Sequence, residues 1–144
     1  MTDPVFPITI YHNPACGTSR NTLAIIRGAG YEPSVVNYLQ SGWTPDLIAS
    51  LLKVMGISAR ELMREKGTPA TDLGLLSPSV GEAEIIAAMV AHPILVNRPI
   101  VVTPLGAKLC RPSEVVATLL DRKPDRFTKE DGEVVRLSDG GLEP

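Results

Sequence analysis

The sequence has only two cysteines, Cys16 and Cys110, far apart and without the spacing of metal ligands. That scarcity excludes a disulfide framework and a zinc site, and in a reducing compartment both residues are expected as free thiols. An excess of charge is missing too: 14 basic residues against 16 acidic ones give a net charge of −2. There is thus no broad electrostatic reason to bind nucleic acid or an anionic membrane, and any anion site must be local. No run approaches the roughly 18 to 20 apolar residues that a membrane span requires. The start, "MTDPVFPITI", has an acidic residue and two prolines where a signal peptide has a basic region and an apolar run. The expected location is the cytoplasm. Internal repeats and low-complexity tracts are also lacking.

What is present is a globular balance, 44% apolar and 21% charged over 144 residues, enough for one domain with its own core. Ile8 to Tyr11 reads as a short buried strand, and Leu23 and Ile26 lie on the apolar stripe of a helix over about Ser19 to Arg27, ended by Gly28 and Gly30. "EPSVVNYL" supplies a second strand, so the first forty or so residues predict a parallel βαβ unit. "TPDLIASLLKVM" then opens a helix with Thr44 as N-cap and Pro45 at its first position. Ser58 and Glu61 match a capping box for a short helix carrying Leu62, Met63 and Arg64. "EAEIIAAMVAH" predicts a third helix with Ile85, Ile86, Met89 and Val90 inward and His92 as its C-terminal cap. Strands return in "PIVVTPLGAKLC", where Thr103-Pro104-Leu105-Gly106 predicts a hairpin turn. A last helix follows from about Pro112 to Leu120, with Val115, Val116, Leu119 and Leu120 buried.

The order predicts an α/β fold: a thioredoxin-like four-stranded mixed sheet flanked by helices, with a helical insertion between strands two and three. The core would take about residues 8–40 and 97–121, the insertion about 44–92, and about 122–144 would be a loosely packed tail. Fold alone does not set function, so the residues must.

Cys16 stands in "YHNPACGTSR", where the first strand gives way to the first helix. Unpaired N–H groups and the helix dipole favour a thiolate there, and a thiol so placed titrates well below its usual value. Its neighbours Asn13, Pro14, Gly17, Thr18 and Ser19 are loop and capping residues, which favours a nucleophile over a small buried hydrophobe. His12, at the strand end, either adds charge or a hydrogen bond to the thiolate or merely bonds a carbonyl. The fourth position of "CGTS" is Ser19 rather than a resolving cysteine, so a species formed on Cys16 must be resolved by a thiol from elsewhere. A tyrosine-phosphatase cradle would need arginine at Thr22. Cys110 ends a strand and is expected to point into the sheet. Arg98 and Arg111 each precede a proline at the sheet end where Cys16 should sit, and guanidinium forks can hold a tetrahedral oxyanion. Arg64, on its short helix, reads by itself as an exposed side chain.

"ITIYHNPACGTSRNTL", "HPILVNRPIVVTPLGAKLCRPSEVV" and "FTKEDGE" closely resemble the glutaredoxin-dependent arsenate reductases, the ArsC family, over about Ile8 to Glu133. The resemblance implies that Cys16 is the nucleophile that attacks arsenate and that Arg64, Arg98 and Arg111 bind the oxyanion. It gives His12 and Ser19 supporting roles toward the thiolate. It also implies glutathione as co-substrate and glutaredoxin as partner, with no bound cofactor and no metal. Two rivals share the superfamily. Spx-like transcription regulators usually sense oxidation through Cys-x-x-Cys, which Ser19 argues against. A monothiol glutaredoxin-like thiol transferase would not need three arginines. The thioredoxin-like arrangement further predicts a cis peptide bond between Arg98 and Pro99.

Overall fold

Ile8, Ile10, Val101 and Ile100 are almost wholly buried, and around them the computed structural model, which describes residues 5–137, builds a mixed four-stranded sheet. Strand β1 (Thr9–His12) pairs parallel with β2 (Ser34–Asn37) and antiparallel with β3 (Ile100–Thr103), which in turn pairs antiparallel with β4 (Gly106–Leu109). A parallel pair cannot be closed by a tight turn, and helix α1 (Gly17–Gly28) is the crossover between β1 and β2. Its Ile25 and Ile26 enter the core beside Ile8 and Ile10, with Leu23 packed at the margin. The β3–β4 hairpin forms as expected. Gly106 sits at φ +136°, where a side chain would be strained. This is the thioredoxin-like order, β2-β1-β3-β4.

Two compact units make up the chain: one runs up to Asn37 and resumes at Arg98, the other is Tyr38–Asn97. The switch comes earlier than the hydrophobic pattern of "EPSVVNYL" predicts, because Tyr38 leaves the strand and starts helix α2 (Tyr38–Ser41), its hydroxyl donating to Val96 O at 3.1 Å. In this second unit α3 (Pro45–Met55) begins as expected, with the Thr44 side chain accepting from Leu47 N–H at 3.2 Å, and stops at Gly56, φ +70°. Helix α4 (Ala59–Leu62) carries the predicted capping box of Ser58 and Glu61. It is shorter than expected. Met63 turns extended and bridges Val96, and Arg64 N–H donates to Leu95 O, so Met63 and Arg64 lie beyond the helix. Helix α5 (Glu82–Ala91) buries Ile85 and Met89 but only half-buries Ile86 and Val90, and His92 caps it through its backbone N–H to Ala88 O.

The first unit departs from expectation in two places. The segment Ser113–Leu119 is a 3-10 helix. With three residues per turn, Ser113, Val116 and Leu119 form one row and Glu114, Ala117 and Leu120 the next; both rows are buried, while Val115 moves to the margin. The expected loose tail is instead, as far as residue 137, an antiparallel pair, β5 (Arg126–Thr128) with β6 (Val134–Arg136). Val135 and Leu137 join the core with Phe6 and Ile8, each burial worth about 1.5–3 kcal/mol relative to exposure. Apolar residues among many charges hid this strand pair; residues 138–144 lie outside the described part.

Candidate active site

One row of the sheet register assembles the site. Tyr11 lies opposite Ile100, and Ile100 opposite Leu109. The end of β1, the start of β3 and the end of β4 therefore meet at one edge, and Cys16, Arg98 and Arg111 stand just beyond those three positions. The Arg98–Pro99 bond is cis as expected, and the Arg111–Pro112 bond, for which the sequence made no such prediction, is cis too.

Backbone and side-chain hydrogen bonds fix the Cys16 loop. The Asn13 side chain accepts from Ala15 N–H at 2.9 Å, and Cys16 N–H donates to Asn13 O at 3.0 Å. Ser19, fully buried, accepts from Asn13 N–H at 3.1 Å and lies 2.7 Å from His12 Nδ1. Cys16 is the N-cap of α1, half-buried with an extended backbone, and its sulfur faces the Ser19 backbone N–H of the first turn as well as side chains from outside the helix. Arg111 Nη1 lies 3.7 Å from Cys16 Sγ and donates to Arg98 O at 2.8 Å.

Burial pushes the Cys16 thiol up, but the Ser19 backbone N–H, the Arg98 and Arg111 side chains and the Arg98 charge together outweigh it, so the thiol falls below its ordinary value. His12 moves the other way in charge: burial, helped by the charges of Arg27 and Arg20, lowers its pKa and keeps the ring neutral near pH 7. The hydrogen bond of His12 Nδ1 goes to the Ser19 hydroxyl, which is neither the thiolate nor the carbonyl that the sequence suggests as partners. Cys110 contrasts with Cys16. It is wholly buried, its Sγ donates to Lys108 O at 3.6 Å, and burial drives its pKa up to about 12. That thiol is inert in the folded chain.

Arg64 belongs to the second unit, where its Nε donates to Lys66 O at 3.1 Å and its Nη1 to Asn97 Oδ1 at 3.3 Å. Arg20 and Glu130 were not singled out from the sequence. Arg20 Nη1 donates to Pro14 O at 2.9 Å inside the Cys16 loop, and its Nη2 and Nε hold Glu130 at 2.6 and 3.1 Å. These two residues are 110 positions apart. Their only sequence trace is that both fall within blocks of the family resemblance.

A thioredoxin-like sheet with an N-capping thiol beside two arginines defines the class: a thioredoxin-like protein built around one accessible cysteine. Residues 11–119 match the ArsC family model, and the chain belongs to that family. The arsenate reductase of Rhizobium meliloti strain 1021 is 55% identical over 135 residues, 93% of this chain and 96% of the relative. That of Escherichia coli K12 is 54% identical over 129 residues, covering 89% and 92%. Among solved structures, an arsenate reductase from Vibrio cholerae superposes with a TM-score of 0.77 at 35% identity, over 80% of this chain and 98% of the other. Among the described residues no helix is long and apolar enough to cross a membrane.

Proposed function

We propose that this chain is an arsenate reductase that converts arsenate to arsenite through a covalent bond between Cys16 and arsenic. The observation that carries the reading is the Cys16 thiol, lowered against the cost of its burial by Ser19, Arg98 and Arg111. The arsenate reductases that match along nearly the whole chain support it.

The thiolate attacks arsenic, a sulfur–arsenic bond forms, and one oxygen leaves as water. Arg98 and Arg111, joined by Arg64 as the family resemblance implies, hold the remaining oxygens and offset charge as it builds. Arsenic(V) must then gain two electrons to become arsenic(III). Cys16 is the one thiol of the chain with any exposure, since Cys110 is sealed in the core, so the electrons come from outside thiols. Glutathione fills the first role: its sulfur bonds to arsenic as a second oxygen leaves as water. Glutaredoxin then attacks the glutathione sulfur, a disulfide forms, and the pair of the broken sulfur–arsenic bond stays on arsenic. Hydrolysis releases arsenite and frees Cys16. Such a cycle belongs in a reducing cytoplasm. Phosphate resembles arsenate in shape and charge, so it binds without reacting, and selectivity lies in the preference of sulfur for arsenic.

The test is arsenate-dependent NADPH oxidation coupled through glutathione reductase, glutathione and glutaredoxin. Turnover is expected in the wild type, none in Cys16→Ser, and most of it in Cys110→Ser. Retained turnover in Cys16→Ser would end the mechanism.

A further inference from the structure

A cavity of about 280 Å³ opens beside the site, within the first unit. Its near wall is Gly17 and Thr18, which follow Cys16 directly, and Pro112 and Ser113, which follow Arg111. The far wall is the β5–β6 turn, from Lys129 to Glu133. This turn lies in the "FTKEDGE" block, to which the mechanism above gives no part.

That far wall is held firmly. Glu130 accepts from Arg20 and its backbone N–H donates to Asn21 Oδ1 at 3.0 Å, both on α1. Lys129 Nζ lies 2.9 Å from Glu114 Oε1, both side chains only 12% exposed, and 3.2 Å from Glu133 Oε1. Asp131 accepts from Glu133 N–H at 2.9 Å, which sets the turn. Around the cavity two cations, Arg20 and Lys129, face four carboxylates, Glu114, Glu130, Asp131 and Glu133. The surplus is negative, whereas the sulfur next door has arginines. A ligand matched to both carries its reacting group toward Cys16 and a positive charge away from it. The volume, near the lower end for ligand sites, suits a molecule of di- or tripeptide size.

We propose that this cavity receives the external thiol that completes the reduction, a small thiol with a free ammonium group that the Asp131 and Glu133 carboxylates take. The proposal rests on the arsenate reductase reading. With the ammonium held, the sulfur reaches arsenic on Cys16; a sulfur–arsenic bond forms, and an arsenic-bound hydroxyl leaves as water with the thiol proton. The cavity makes a bimolecular step a positioned one.

The full-length chain is assayed as wild type, Asp131→Asn, which keeps an oxygen for the Glu133 N–H, and Asp131→Lys. The KM for glutathione is expected to rise about threefold in Asp131→Asn and about tenfold in Asp131→Lys, with the KM for arsenate unchanged. N-acetylglutathione, which lacks the ammonium, should show no difference among the three proteins. A glutathione KM that stays flat in Asp131→Lys, or an equal shift for N-acetylglutathione, overturns the proposal. A second measurement is independent of turnover: 15N-labelled protein is titrated with S-methylglutathione, which cannot react. Shifts at the amides of Thr18, Ser113 and Asp131 are expected, and their absence at millimolar ligand overturns the cavity assignment. Shifts without any arsenate turnover in the wild type would instead strike the reductase reading and leave the cavity standing.

Discussion

At Cys16 the contest is between burial, which opposes a charge on sulfur, and three nearby donors that favour it. Removing one donor should tip the balance. In Arg111→Ala the pH midpoint of Cys16 alkylation should move upward, and kcat/KM for arsenate should fall about 100-fold, the scale of one lost oxyanion donor; an unmoved midpoint would separate Arg111 from the sulfur. His12 sets a pH limit on the fold. Its folded pKa lies below its ordinary value of 6.5, so as pH falls the unfolded chain binds the proton first. Stability is therefore full above about pH 6.5 and declines as pH drops through the folded pKa. Urea midpoints measured between pH 5 and 8 should show that slope in the wild type and a flatter one in His12→Gln. Cys16, His12, Arg98 and Arg111 were legible because strand ends, helix starts and prolines mark them locally. Arg20 and Glu130 were not, since their pairing exists only after the chain folds back on itself.

Among the elements, those with chemical punctuation were the readable ones. Thr44 with Pro45, and Ser58 with Glu61, mark helix starts whose hydrogen bonds the structure contains. Thr44→Ala should therefore cost about 1 kcal/mol and lower the Tm by roughly 2–4 °C, as thermal unfolding would measure. The Ser113–Leu119 helix and the β5–β6 pair were harder. An apolar stripe over seven residues fits either helical period, and three-residue strands leave too little alternation to stand out from the surrounding charges. Leu137 tests whether that pair is structural or incidental. Wholly buried against the core, it should cost about 2–5 kcal/mol when replaced by alanine, whereas a residue in a loose tail would cost almost nothing in urea unfolding.

For the whole molecule, sheet order does the assembling. Because β3 runs against both β1 and β4, three segments distant in sequence deliver their termini to one edge. That much follows from element order and direction, which is why the sequence by itself puts the arginine pair near Cys16. The boundaries at Asn37 and Arg98, where the chain leaves and re-enters the sheet unit, depend on how Tyr38 packs inside its own unit, which strand pattern does not encode. Cys110 gives the folded chain one further property. Wholly screened from water, it leaves the native surface with a solitary sulfhydryl, so a maleimide should label the protein once, and twice after denaturation. Peroxide would then meet a sulfur without an accessible intramolecular partner, and the sulfenic acid it formed would go on toward irreversible sulfinate unless free thiols in the surroundings intercepted it first.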